Sequence, residues 1–78
     1  MKQFILYGTV GCHLCEDAEA LLAPLLNEQC EIECIDISDD DQLLDRYGEL
    51  IPVLRRVGDG AELNWPFASE KTRDFLFE

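Results

Sequence analysis

The chain has 78 residues, 17 of them acidic and 6 basic, for a net charge of -11. So negative a surface argues against nucleic acid or an anionic membrane as partner. A hydrophobic share of 47% is too high for a disordered chain, and the length suits one small domain over residues 1–78 whose apolar residues must mostly serve packing.

In chain order, Phe4-Ile5-Leu6-Tyr7 is an apolar run of strand-forming residues, and Gly8, Thr9 and Gly11 end it. A signal peptide needs an apolar stretch of roughly 7–15 residues and a membrane span roughly 20, and the start of the chain offers neither. The expected location is therefore the cytoplasm, where thiols are mostly kept reduced.

Cys12 and Cys15 follow, two residues apart, with His13-Leu14 between them. From there Leu14, Ala18, Leu21, Leu22 and Leu25 recur at helical spacing. The pair thus falls on a strand-to-helix turn with Cys12 at the helix start. Free N–H groups and the positive end of the dipole favour a thiolate there, and the thiolate is the nucleophile. His13 is placed to tune the pair, and Glu16 and Asp17 oppose a nearby negative sulfur. Pro24 predicts a kink or an early end of a helix that otherwise runs to about Leu26.

Glu31 to Ile37 alternates and predicts a second strand, parallel to the first across a right-handed crossover. Cys34 alternates with Ile32 on it, which predicts a buried thiol acting as a small apolar residue. The spacing of the four cysteines, C-x2-C-x14-C-x3-C, also resembles a zinc pattern, so a metal-binding module is one alternative to redox chemistry. A binding domain whose thiols are incidental is another. Ser38 is predicted to cap a short acidic helix that turns Leu43, Leu44 and Tyr47 inward and stops at Gly48. Leu50 to Val57 and Ala61 to Asn64 then form a hairpin around Gly58-Asp59-Gly60. Arg55 and Arg56 on it are expected to snorkel or to pair with acids. Trp65-Pro66-Phe67 makes a bulky corner whose rings pack into the core, and Ser69 caps a last helix returning Phe75 and Leu76 to the core.

Read together, Leu6 to Cys15, Asp36 at the end of the second strand, Ile51-Pro52-Val53 and the hairpin glycines resemble a small glutaredoxin-like protein of the thioredoxin fold. The resemblance spans almost the whole chain and is similar to the short bacterial members of that group. It implies an α/β fold of order βαβ-α-ββα, with a four-stranded mixed sheet and helices on both faces. It also implies a cis peptide at Ile51-Pro52 that pairs with the substrate backbone, a nucleophilic Cys12 and a resolving Cys15. The expected activity is thiol–disulfide exchange on protein or small-molecule disulfides, by a monomer with no bound cofactor or metal and an unidentified thiol reductant. Glutathione is predicted to be a poor partner. The lysine that glutaredoxins place three residues before the first cysteine is Thr9 here, and their polar residues after the hairpin give way to Trp65-Pro66-Phe67.

Overall fold

The structure, a computed structural model, describes residues 2–26 and 28–77. Its first strand, β1 (Lys2–Gly8), is central in a four-stranded sheet of order β2-β1-β3-β4. It pairs in parallel with β2 (Cys30–Asp36), Leu6 against Cys34 and Gly8 against Asp36. On its other side it runs antiparallel to β3 (Val53–Arg56), and β4 (Glu62–Asn64) closes the hairpin against β3.

The period-2 alternation of β1 divides the core. Phe4 and Leu6 face one side, where Leu54, Phe67, Ala18 and Leu22 of α1 (His13–Leu22) and Leu76 of α3 (Ser69–Phe77) pack on them. Ile5 and Tyr7 face the other, with Ile37, Val53 and Tyr47 of α2 (Asp41–Tyr47). Helices therefore cover both faces, α1 and α3 on one and α2 on the other. This is the mixed α/β arrangement of the thioredoxin fold. Among the described residues no helix is long and apolar enough to cross a membrane.

The proline at position 24 does end the first helix early. α1 gives way at Ala23 to a 3-10 turn, Ala23–Leu25, with Pro24 in its first positions, where a missing N–H costs nothing. Trp65 and Phe67 pack edge to face with ring centroids 5.1 Å apart, and both belong to the core, as the sequence suggests.

Three local expectations are corrected. The cap of α2 is Asp40, whose carboxylate accepts from the N–H groups of Gln42 and Leu43. Ser38 lies instead in a 3-10 turn, Ile37–Asp39, and binds Asp36 through both its hydroxyl and its N–H. A carboxylate two residues upstream has captured the serine, so the helix starts later, capped by Asp40. Because of that shift Leu44 turns outward, at 41% exposure, while Tyr47 is buried. Ser69 is the first helical residue of α3; the cap position passes to Ala68, whose carbonyl accepts from the N–H and the hydroxyl of Thr72.

Candidate active site

The connection from β1 to α1 is set by two glycines. Gly11 has φ +80, a left-handed conformation that glycine adopts without steric cost. Gly8 provides space: a Cβ there would lie 2.9 Å from the Cys15 Sγ. The loop closes with the Cys12 N–H on the Thr9 carbonyl at 3.3 Å. Cys12 then occupies the N-cap of α1, its sulfur accepting from the Cys15 N–H at 3.2 Å. The Cys12 and Cys15 sulfurs stand at disulfide-bonding distance, with their Cα atoms 5.2 Å apart. Cys12 is half-buried and reachable, whereas Cys15 is only 7% exposed, over Gly8.

The other residues picked out by the sequence lie around this pair. His13 opens α1 with its ring exposed, and its Nε2 is 3.7 Å from the Asp17 carboxylate one turn on. The Ile51-Pro52 peptide is cis, and so is Trp65-Pro66, which the sequence reading did not anticipate. One residue beyond the Tyr7–Val53 pair, the same antiparallel register sets Pro52 level with Gly8, at the thiol end of the sheet. The Ile51 N–H is taken by the Tyr47 carbonyl at 3.1 Å, and the Pro52 carbonyl accepts from Trp65 N–H at 3.3 Å. The Ile51 N–H is thus engaged by the protein's own backbone.

Arg55 and Arg56 pair with acids, as expected. Arg56 grips Asp59 across the hairpin turn with two bonds of 3.0 and 2.8 Å, donates to the Phe75 carbonyl and lies over the Phe75 ring. It thereby holds the Asp59 carboxyl down at about 2. Arg55 reaches Tyr47 and Glu62. Both sit opposite Ile5 and Phe4, toward the start of β1 and away from the thiols.

A cleft of about 320 Å³ runs beside the cysteine pair, between α1 and the end of β2. Its lining includes Cys12, Cys15, Thr9, Glu16, Glu19, Cys34 and Asp36. Here the structure overturns one expectation: Cys34 is exposed rather than buried. The alternation places it on the α1 face, but β2 is an edge strand and the cleft between α1 and β2 leaves the thiol open. Its thiol donates to the Glu19 carboxylate at 3.2 Å. Partial burial pushes the Cys34 thiol up, and the Glu19 carboxylate pushes it further. Asp36 is held below the ordinary carboxylate range by the Ser38 hydroxyl and N–H, with a smaller contribution from the Thr9 hydroxyl. Glu19, and its contact with Cys34, went unnoticed in the sequence. The available signal was that Glu19 lies one turn after Cys15 on α1 and Cys34 is level with Leu6.

The four cysteines do not come together. Cys30 pairs with Lys2 at the far end of β2, about 13 Å along the strand from Cys34. Among the described residues no group of three His, Cys, Asp or Glu is arranged to hold a metal ion.

Comparison with known proteins gives a consistent result. Residues 3–77 match the profile of a Glutaredoxin-like domain family (DUF836). The X-ray structure of Northeast Structural Genomics target XcR50 from X. campestris is similar at TM-score 0.82 and 37% identity, over 94% of this chain and 93% of that one. The solution structure of protein Ne2328 from Nitrosomonas europaea is similar at TM-score 0.81 and 32% identity, over 96% of this chain and 91% of that one. No curated protein matches the chain.

Proposed function

The chain belongs to the glutaredoxin-like domain family, and from that premise we propose that it is a thiol–disulfide oxidoreductase acting through Cys12 and Cys15. The observation that carries this reading is the asymmetry of the pair. Cys12 is reachable and caps the helix with its sulfur on the Cys15 N–H, while Cys15 is buried behind it. A donor on the sulfur and the positive helix end both favour the Cys12 thiolate.

In the reduced protein the Cys12 thiolate attacks one sulfur of a substrate disulfide. A Cys12–substrate bond forms, the substrate S–S bond breaks, and the departing thiolate takes a proton from water. The Cys15 thiol then loses its proton and attacks the Cys12 sulfur. The Cys12–Cys15 disulfide forms and the second substrate thiol leaves. The two electrons gained by the substrate come from the pair, so an external thiol reductant must restore it. The 5.2 Å Cα separation lies in the ordinary range for a disulfide, so the second step requires no backbone movement. Pro52 and the Ile51 carbonyl form the wall against which the substrate backbone lies, and His13, held toward Asp17, modulates the charge near the helix start. The protein works as a cytoplasmic monomer without a bound cofactor.

The test is the reduction of a peptide disulfide by wild type, Cys12→Ser and Cys15→Ser, with mass spectrometry of the products. Cys12→Ser is expected to abolish turnover, and Cys15→Ser to accumulate a mixed disulfide on Cys12. Alkylation of the reduced protein at pH 7 is expected to label Cys12 before Cys15. Turnover by Cys12→Ser, or faster labelling of Cys15, would overturn the assignment.

A further inference from the structure

We propose that this protein acts on cationic disulfides: protein or peptide disulfides with lysine or arginine next to the reacting cysteine. The inference rests on the oxidoreductase reading and adds the substrate class.

Its basis is the charge inside the cleft that the cysteine pair opens onto. Three carboxylates line it, Glu16, Glu19 and Asp36, and no Lys, Arg or His lies among its lining residues. The ion pairs of the described residues go to Asp17, Asp59 and Glu62 instead. Asp36 is bound by the hydroxyls of Ser38 and Thr9, and Glu19 by the Cys34 thiol. These donors satisfy the carboxylates' hydrogen bonding without cancelling their charge.

Thiol–disulfide exchange is poorly suited to such a wall. The attacking sulfur is an anion, the leaving sulfur becomes one, and the transition state spreads a negative charge over three sulfurs. Cations beside the sulfurs would normally stabilise it. Among the described residues no lysine or arginine lines the cleft: Arg55 and Arg56 are held by Glu62 and Asp59 at the other end of the sheet, and the exposed His13 ring turns toward Asp17. A lysine or arginine flanking the substrate cysteine supplies the missing charge. It would meet the cleft carboxylates on docking and stabilise the departing thiolate during reaction. Val10 and Leu14, on either side of Cys12 in the chain, are 88% and 45% exposed and give such a peptide apolar contact. An anionic disulfide meets repulsion at both stages.

The experiment compares two peptide disulfides of one sequence, differing only in lysine or glutamate beside the cysteines. A neutral small disulfide, bis(2-hydroxyethyl) disulfide, is the reference. Second-order rate constants are measured with reduced wild type, Glu16→Gln/Glu19→Gln and the distant Glu70→Gln, in low salt and in 0.5 M salt. The ratio of lysine to glutamate rates is the readout, because changes in Cys12 activation cancel in it. We expect a ratio of about tenfold or more in low salt, shrinking several-fold in high salt, as surface charge effects do. It should also shrink in the double variant and stay unchanged in Glu70→Gln. A ratio near one, a preference for glutamate, or a ratio that the double variant leaves intact overturns the inference while turnover of the neutral disulfide upholds the oxidoreductase reading. Failure to reduce any of the three disulfides overturns both.

Discussion

Gly8 and Cys15 are in contact across the sheet-to-helix junction: a methyl group on Gly8 would stand 2.9 Å from the Cys15 sulfur and 3.2 Å from its Cβ. The glycine is there for the thiol, since its backbone is not in the left-handed region. Cys15 cannot back away, because it lies on a helix whose next turn, at Ala18 and Leu22, is fully packed. Gly8→Ala should therefore destabilise by about 1–3 kcal/mol, as overpacking does, and slow closure of the Cys12–Cys15 disulfide. Denaturant unfolding and the rate of disulfide formation under a fixed glutathione redox buffer check this. An alanine variant with wild-type stability and wild-type closure would show that the helix end yields.

A second prediction concerns the thiol that the cleft exposes. Cys34 is held toward its neutral form by partial burial and by Glu19. In oxidised protein, where Cys12 and Cys15 are blocked, Glu19→Gln should raise the Cys34 alkylation rate several-fold at pH 8. The sign follows from the raised value: removing the carboxylate lets the thiolate form at lower pH. The internal reference is Cys30, at the far end of β2. Peptide mapping after timed iodoacetamide treatment reads both sites, and equal acceleration at both would mean general loosening instead.

The third prediction is a pH dependence. Arg56 holds Asp59 at about 2, below its ordinary 3.8. A depressed carboxyl contributes stability above the unfolded value and loses it as pH falls through the folded one. The stability gap between wild type and Asp59→Asn should be constant from neutral pH to about 4 and close as pH falls toward about 2. Urea midpoints at several pH values test it. A gap that persists unchanged at pH 2 would place the effect in the turn's backbone rather than in the ion pair.

Much of this was readable in the chain. The change of apolar period after Gly11 marks the strand-to-helix turn, Pro24 marks the end of α1, and the glycines around Asp59 mark the hairpin. What escaped the sequence depends on competition or on coverage. Ser38 has every property of a helix cap, but Asp36 claims it first, and the cap moves to Asp40. Cys34 has the alternation of a core residue, which tells which face it is on and not whether anything lies over that face. Because β2 is at the sheet's edge, the same pattern that buries Leu6 leaves its neighbour Cys34 open.

The last prediction concerns Tyr47, which joins α2 to the segment before Pro52. Its ring is buried and stacks on Tyr7 at 4.4 Å, its hydroxyl bonds Glu62, and its carbonyl accepts the N–H groups of both Leu50 and Ile51. The side chain thus fixes the end of α2, and the backbone there fixes Ile51. Tyr47→Phe removes only the hydroxyl and should cost about 1 kcal/mol, the net worth of a hydrogen bond, with peptide-disulfide reduction unchanged. Tyr47→Ala removes the ring and should cost about 3–5 kcal/mol, a large part of the 5–15 kcal/mol expected of a small domain. In protein that remains folded at low temperature, it should also raise KM for a peptide disulfide more than it lowers kcat, because the Ile51 carbonyl loses its fixed position. Thermal unfolding and steady-state kinetics at 10 °C separate the two effects. Equal loss in both variants would assign the stabilisation to the Glu62 bond, and an unchanged KM in Tyr47→Ala would detach Ile51 from substrate binding.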